Sequence, residues 1–538
     1  MRAGLAWPLA AFSGLALAAA FPRPGLWPLA WIAPLGFLLA VRGRSFAAVF
    51  GRGWLFGFSF YLGALYWIPA TIADYTRIGM PVAVLLLVLL AATVAVGMGA
   101  CALVVEWLAQ AGISRVLSAP LAWVVVEWLR TFFPVGFPWV LLGYSQMPWT
   151  ALIQMADVTG VYGISALLMF ASASLVEILR DGPRRHRRLV AALAVVVAAV
   201  LVYGHARMHV VDAASRATVK VALVQGNIAQ DLKWDERWQN SILRRYLVLS
   251  QRAADAGARL IVWPESALPL FPAADPRAAR VVALSASTGA HMLVGAPGFE
   301  SRGQGPPRSY NQAWHVTPLG GFEAAYDKMQ LVPFGEYVPF GGLWGGVERA
   351  VEGIADFGRG SEFKVFEGPL LPASGEDGSA RPAAVVEPLR FSALICYEGI
   401  FPALAGAFVS AGAEMLVNIS NDAWYGRSSA PYQHMSMAAM RAVEQRVPLL
   451  RATNTGISAV VDASGRVGKA TELFTTEVVT AEVRLSGAYS LYSKVGDLFI
   501  YLAIAALGLL CAMRVRLGRA VGAGWGKGID TRPGPWNP

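Results

Sequence analysis

Cysteine is scarce in this chain. Its 538 residues include three, Cys101, Cys396 and Cys511, so no disulfide framework holds it together. Charge is scarce as well: Asp, Glu, Lys and Arg make up 15% of residues, against about 25% in ordinary soluble domains. Acidic residues are the rarer sign, 35 against 45 basic, for a net charge of +10. Polar bulk of the kind that keeps a chain disordered is missing too, since 56% of residues are hydrophobic. A soluble chain of this length would form about three or four domains, and the apolar excess argues against that. The basic balance points to nucleic acid, anionic lipid, or a membrane protein with basic cytoplasmic loops.

What is abundant is long apolar sequence, and it is concentrated. Runs fill the first 210 residues and one more lies near the end. A membrane helix needs about 20 such residues. Spans are expected near 4–20, 25–41, 54–73, 81–108, 117–133, 161–179, 189–206 and 494–513. The stretch Met80–Val105 has no charged residue. Residues 1–20, with one Arg and the small run Ala18-Ala19-Ala20, also fit a cleaved signal peptide.

Basic residues orient the spans. With the N-terminus in the cytoplasm, the inside segments hold fifteen positive charges. These are Arg2; Arg42, Arg44 and Arg52; Arg115; Arg180, Arg184, Arg185, Arg187 and Arg188; and Arg514, Arg516, Arg519, Lys527 and Arg532. Against them stand Asp181 and Asp530. The basic excess is therefore a topological signal spread over inter-span loops, which excludes a nucleic-acid site. Glu127 and Arg130, three apart at the end of the fifth span, are expected to pair with each other.

The segment of about 207–493 then lies outside the cytoplasm, and it reads as α/β. Short apolar runs recur at Val219–Val224, Leu260–Trp263, Met292–Gly295, Phe391–Cys396, Met415–Ile419 and Ile457–Val461. Between the first two, 236–256 has helical spacing. Strands alternating with helices indicate βα units. From Gly335 to Pro388 the pattern fails.

Cys396 ends an apolar strand in Phe391-Ser-Ala-Leu-Ile-Cys-Tyr-Glu398, a place where α/β folds present reactive groups. A nucleophilic thiol needs a base and a way to stabilise its thiolate. None of the six histidines sits in a cysteine-protease context. Carboxylates and lysines offer another route. Glu265 follows a strand in Trp263-Pro264-Glu265, and Lys328 lies in Tyr326-Asp-Lys-Met-Gln-Leu-Val-Pro-Phe-Gly-Glu336. Taken singly, each is an ordinary loop or surface residue.

Taken together and in chain order, the three resemble the nitrilase, or carbon–nitrogen hydrolase, superfamily, with its Glu-Lys-Cys triad on an αββα sandwich. Such a domain set among membrane spans is similar to the bacterial apolipoprotein N-acyltransferases. Further matching motifs are Gly136-Phe-Pro-Trp139 with Gly143-Tyr-Ser-Gln146, Val224-Gln-Gly-Asn227, Pro333-Phe-Gly-Glu-Tyr-Val-Pro339 and Asn418-Ile-Ser-Asn-Asp-Ala-Trp-Tyr-Gly426. The resemblance implies a polytopic α-helical membrane protein of about eight spans with an inserted nitrilase-like α/β domain. The expected division is 1–210 for seven membrane helices, 217–487 for a periplasmic catalytic domain, 493–514 for the eighth helix and 515–538 for a basic cytoplasmic tail. The expected location is the bacterial inner membrane with both termini cytoplasmic.

It also implies roles. Glu265 would be general base, Lys328 oxyanion stabiliser and Cys396 nucleophile, with Lys328 favouring the thiolate. The Tyr397 N–H would be a second oxyanion donor. Glu336 would hold Lys328 or Glu265, and Glu398 would brace the loop after Cys396. The implied reaction passes an acyl chain from a phospholipid, phosphatidylethanolamine as donor, through a Cys396 thioester to the α-amino group of a diacylated apolipoprotein. No metal or cofactor is expected. Trp234, Phe340, Leu343, Trp344 and Phe357 are candidate lid residues. Trp139, Tyr144 and Gln146 are candidates for shaping an acyl-chain entrance. The rivals are a membrane-tethered amidase or nitrilase and a non-catalytic transporter or scaffold, the last weakened by the intact triad. Replacing Cys396 with Ala should abolish acyl transfer to a lipopeptide by detergent-purified protein. Cys101→Ala should leave it near wild type, and equal damage from both would refute the assignment.

Overall fold

The computed structural model describes residues 3–76, 78–133, 136–300, 308–337, 357–371 and 387–525. Among them, four helices are long and apolar enough to cross a membrane: Met80–Ala109, Val161–Asp181, Arg187–Ala213 and Leu498–Leu517. The pair Phe46–Ala64 and Ile68–Tyr75, bent by 52° at the break between them, is long and apolar enough only when taken together. Eight full-length spans are therefore not what length alone supports.

Proline explains the shortfall. The stretch expected to span at 25–41 is a 3-10 turn, Trp27–Trp31, followed by the eight-residue helix Ala33–Ala40. Pro28 and Pro34 sit in their first turns, where a missing N–H does no harm. The expected 54–73 span begins at Phe46 instead, capped by Ser45, and breaks before Pro69. Ala3–Ala18 has 16 residues and carries Pro8. At 1.5 Å per residue such a helix reaches about 24 Å, short of a hydrocarbon core about 30 Å thick. Arg115–Leu129, with Pro120 inside it, is shorter still.

The long helices leave Leu85, Leu89, Val195, Val202, Leu502 and Leu509 exposed. In water so much apolar surface would drive association, whereas lipid accommodates it. The chain is a membrane protein. Inside the helical body, small residues allow close approach. A Cβ on Gly53 would stand 2.5 Å from the Ala102 Cβ and 2.7 Å from the Met98 carbonyl oxygen, so Phe46–Ala64 and Met80–Ala109 touch backbone to backbone.

The α/β part comprises β1 (Ser215–Gln225), β2 (Leu260–Val262), β3 (His291–Glu300), β4 (Arg308–Thr317), β5 (Gly321–Asp327), β6 (Phe366–Leu371), β7 (Glu387–Ile395), β8 (Met415–Ser420), β9 (Leu449–Thr453), β10 (Ala459–Val461), β11 (Val467–Ala470) and β12 (Glu477–Ser486). Among the described residues these form two six-stranded sheets, ordered β12-β1-β2-β3-β4-β5 and β11-β10-β9-β8-β7-β6. Strands β1 to β3 run parallel, as do β7 to β9.

Strand alternation builds the layers. On β1, Val219, Val221 and Leu223 join a core shared with Phe391, Leu416 and Val417 of the second sheet. Ala222 and Val224 face the other way, into a core with helices Glu236–Asp255 and Ala279–Thr288. Helices Pro402–Ser410 and Ala430–Gln445 cover the second sheet, giving an αββα sandwich. The last helix is shared. Its Met435, Ala439 and Ala442 enter the sandwich core, while Met437, Met440 and Val443 enter the core of the membrane helices.

Two further expectations change. Strand β6 lies inside 335–388, where no pattern was expected. Strand β7 stops at Ile395, so Cys396 opens a 3-10 turn, Cys396–Ile400, instead of ending the strand.

Gly53→Leu should force the two helices apart and cost about 1–3 kcal/mol, read as a lower unfolding temperature in detergent. Gly508→Leu, with open space around it, serves as the control and should unfold at the wild-type temperature.

Candidate active site

Glu265 and Lys328 come from the first sheet, and Cys396 from the second. Glu265 sits just past β2, where Trp263 is locked by its Nε1–H donating to Ser250 Oγ at 2.7 Å. The loop lies directly on β3. A Cβ at Gly295 would come within 2.2 Å of the Pro264 carbonyl oxygen and 2.7 Å of the Glu265 Cα, so that position requires glycine. Lys328 follows β5, and its N–H donates to the Asn311 carbonyl on β4 at 2.9 Å.

The Lys328 ammonium is 1% exposed. It lies 2.7 Å from Glu336 Oε1 and 3.4 Å from Glu265 Oε1. Glu265 Oε1 also accepts from Asn311 Nδ2 at 2.7 Å, and Oε2 from the Asn421 N–H at 2.8 Å. Lys233, equally buried, donates to the Glu265 carbonyl oxygen at 3.1 Å. Burial alone would push the Glu265 carboxyl up. Lys328, Asn311, Lys233 and the Asn421 N–H outweigh it and hold the group below the usual range. Lys328 is held well above its ordinary value: burial lowers it, but Glu336 and Glu265 dominate. Burial pulls Lys233 down to about 8, with Glu265 and Cys396 opposing.

The Cys396 thiol is pushed well up, first by burial and then by the Glu265 carboxylate, with Lys328 acting against both. The expectation that Lys328 favours the thiolate is thus outweighed by desolvation. A thiol whose proton is held on by burial needs a neighbouring base if it is to act as a nucleophile.

Cys396 adopts φ +53°, a left-handed conformation unfavourable for a side chain with a Cβ. The turn is held from two sides. Glu398 Oε2 accepts from the Ile395 N–H at 2.7 Å. Its Oε1 accepts from the Tyr326 hydroxyl at 2.7 Å, the Met329 N–H at 2.7 Å and the Gln330 N–H at 2.9 Å. Glu398 therefore ties the Cys396 turn to the strand that leads to Lys328. Burial pushes its carboxyl up to about 7 against those donors. On the far side, the Cys396 carbonyl oxygen accepts from Asn418 Nδ2 at 3.2 Å and lies 3.1 Å from His434 Nε2. The site contains no cluster of metal-ligand type among the described residues.

Residues 13–174 match the family described as the apolipoprotein N-acyltransferase N-terminal domain, and residues 220–492 match carbon-nitrogen hydrolase. The apolipoprotein N-acyltransferase of Geobacter metallireducens is 40% identical over 94% of this chain and 95% of its own length. The chain belongs to the apolipoprotein N-acyltransferase family. Other members are the Allorhizobium ampelinum enzyme, 35% identical over 83% of this chain and 81% of its own, and that of Azotobacter vinelandii, 34% identical over 89% of each.

The remaining expected residues are distributed unevenly. Trp234 is half exposed beside buried Lys233. Phe357 is partly buried, its N–H donating to the Glu336 carbonyl at 3.3 Å. Phe340, Leu343 and Trp344 lie outside the described residues. Trp139, Tyr144 and Gln146 are fully buried. Trp139 donates to Gln433 at 2.8 Å, Tyr144 accepts from Arg441 at 2.9 Å, and Gln146 accepts from Trp31 at 2.9 Å. The first two contacts join the membrane part to the sandwich, and the third lies within the membrane part. The expected Glu127–Arg130 pair does not form. Glu127 accepts from Trp123 Nε1 and the Leu142 N–H, and the Arg130 guanidinium lies over the Tyr61 ring.

Sequence reasoning missed Lys233, Asn311, His434 and Arg451. Two lie beside motifs that were noticed. Lys233 precedes Trp234, and His434 follows the Asn418–Gly426 run by eight positions.

Every atom facing the Glu398 carboxylate is a donor. Glu398→Gln must turn its amide N–H₂ toward one of them, which should cost about 1–3 kcal/mol and displace Cys396. Acyl transfer is expected to fall at least about tenfold, as far as positional errors of this kind usually carry. Full activity in this variant would show that the brace is dispensable.

Proposed function

We propose that this protein is an apolipoprotein N-acyltransferase that works in two half-reactions. The observation that carries this reading is the match over 94% of the chain to a relative of that name, supported by a Glu265–Lys328 pair whose charges bear on the buried Cys396 thiol. In the first half-reaction, Glu265 takes the Cys396 proton while sulfur attacks an ester carbonyl of phosphatidylethanolamine. Lys328 and the Tyr397 N–H receive the charge that builds on oxygen, where one lost donor costs about 100–1000-fold in rate. Glu265 hands that proton to the departing alkoxide, so a lysophospholipid leaves, Glu265 is again a carboxylate, and the acyl chain remains as a thioester. In the second half-reaction Glu265 takes a proton from the incoming α-ammonium of the diacylglyceryl-cysteine. The amine then displaces the thiol to give an amide. Glu336 keeps Lys328 charged and placed.

The same reading sets the topology. All eight apolar segments belong to the membrane part, including the proline-broken ones, so 1–210 carries seven and 493–514 the eighth. Residues 217–487 form the catalytic domain on the periplasmic face of the inner membrane, and 515–538 are a cytoplasmic tail, as are the first residues. Both substrates are lipid-anchored, which explains a nucleophile beside the membrane helices and a site that excludes water from the thioester. Trp234 and Phe357 serve as lid residues toward the bilayer. A hydrolase passing the acyl group to water would use the same triad, and nothing favours it.

Mass spectrometry after incubation with phosphatidylethanolamine separates the two. A palmitoyl-sized adduct on Cys396 that is stable until a diacylated lipopeptide is added marks the transferase. Adduct decay at the same rate without the lipopeptide would mark a hydrolase.

A further inference from the structure

Beneath Cys396 lies a fully buried polar cluster that the two half-reactions do not use: Asn418, Asp422, His434 and Arg451. Its hub is the Arg451 guanidinium. It donates to both oxygens of Asp422, at 2.8 and 3.1 Å, and to Asn418 Oδ1. It also lies 3.0 Å from His434 Nδ1. Ser420 donates to Asp422 Oδ1 at 2.7 Å.

This hub determines which way two ambiguous side chains point. Because Asn418 Oδ1 accepts from Arg451, its Nδ2 must face away, and it donates to the carbonyl oxygens of Leu394 at 2.9 Å and Cys396 at 3.2 Å. Because a carbonyl oxygen only accepts, His434 Nε2 must carry the proton it points at Cys396. Burial and then Arg451 lower the His434 pKa. A neutral ring with its proton on Nε2 presents Nδ1 as an acceptor to Arg451 at 3.0 Å, and Asp422 Oδ1, itself bound by Arg451, lies 3.2 Å from the same nitrogen.

Two buried donors therefore converge on one backbone oxygen, that of the nucleophile. The peptide that follows is planar and trans, so its C=O and N–H point in opposite directions. Fixing the Cys396 oxygen toward His434 and Asn418 fixes the Tyr397 N–H toward the other side. That N–H opens a 3-10 turn and so has no partner within it. We propose that His434, held by Arg451 and Asp422 and assisted by Asn418, is a positioning residue that clamps the Cys396 carbonyl and thereby aims the Tyr397 N–H at the oxyanion. The cluster also offsets the cost of a left-handed cysteine, since a strained conformation persists only where its surroundings over-determine it.

The inference rests on Cys396 attacking an ester, and two reagents isolate it. A p-nitrophenyl ester acylates the thiol through a tetrahedral oxyanion: the S–C bond forms, p-nitrophenolate leaves, and the thiol proton goes to Glu265. Iodoacetamide alkylates the same thiol by displacing iodide and forms no oxyanion. In full-length detergent-solubilised protein, His434→Phe should slow the acylation burst about 10–100-fold, with alkylation of Cys396 within about threefold of wild type and KM little changed. His434→Gln, which keeps an N–H within reach, should recover most of the acylation rate. Should His434→Phe not fold, Arg451→Lys, which loses the forked hold, reads the same acylation-to-alkylation ratio and should lower it. Equal losses in both reactions, or an unchanged ratio, would overturn the inference. Failure of the function reading would look different: wild-type protein would acylate with the nitrophenyl ester and pass nothing to a lipopeptide.

Discussion

The rest of the site depends on one buried ammonium. Lys328 is removed from water and held between Glu336 and Glu265. A buried lysine without partners would lose its charge, and breaking such a pair costs about 3–5 kcal/mol. The two carboxylates keep it charged, and it in turn keeps Glu265 ionised in a place that would otherwise protonate it. The arrangement also fixes distances between chain segments far apart in sequence, because Glu265 follows β2, Lys328 follows β5 and Glu336 lies in the turn beyond. With Lys233 adding a second cation beside Glu265, two carboxylates face two ammonium groups. Moving a proton from Cys396 to Glu265 then relocates a negative charge and creates none. That is the form of thiol activation that a dry pocket permits.

Burial has the opposite sign for the thiol itself. The same desolvation that strengthens Lys328's pairing holds the Cys396 proton in place. In the proposed reaction a thiol held in this way gives up its proton to Glu265 as it attacks. Reactivity of this kind depends on geometry more than on a standing thiolate. That explains how many hydrogen bonds are devoted to the turn that carries Cys396: four donors on Glu398 and two on the Cys396 carbonyl oxygen.

The residues legible in the sequence were those whose function is carried by local context. Glu265, Lys328 and Cys396 each follow a strand, and their order along the chain marks them out. Lys233, Asn311, His434 and Arg451 were not legible because their work is done across the fold. Asn311 is an inward position on β4, and Lys233 reaches the Glu265 carbonyl oxygen from the loop after β1. His434 sits on an amphipathic-looking helix whose burial on both faces appears only when the membrane helices pack against it. The spans divide in the same way. Uninterrupted runs such as Met80–Ala109 were read nearly to the residue, whereas Pro28, Pro34 and Pro69 convert apolar sequence into short or bent pieces that hydropathy alone averages away. The missed strand β6 lies in a segment whose composition resembles a loop, and it is made a strand by pairing with β7.

The helix Ala430–Gln445 makes the membrane part more than an anchor. Gln433 accepts from Trp139 Nε1 and Trp67 Nε1 and donates to the Ala64 carbonyl. One position on, His434 reaches the Cys396 carbonyl. The Tyr397 hydroxyl donates to the Gly136 carbonyl at 2.8 Å, in the loop that follows membrane helix Arg115–Leu129. At the end of the same helix, Arg446 binds Asp157 and Gln154. Membrane-derived residues thus touch the residue after the nucleophile and the helix that clamps its carbonyl. The sandwich carries the Cys396 thiol, the Glu265 carboxylate and the Lys328 ammonium. Here the peptide that presents the thiol is set by contacts running through the membrane helices, so the chemistry and the bilayer are joined by packing and hydrogen bonds rather than by a tether.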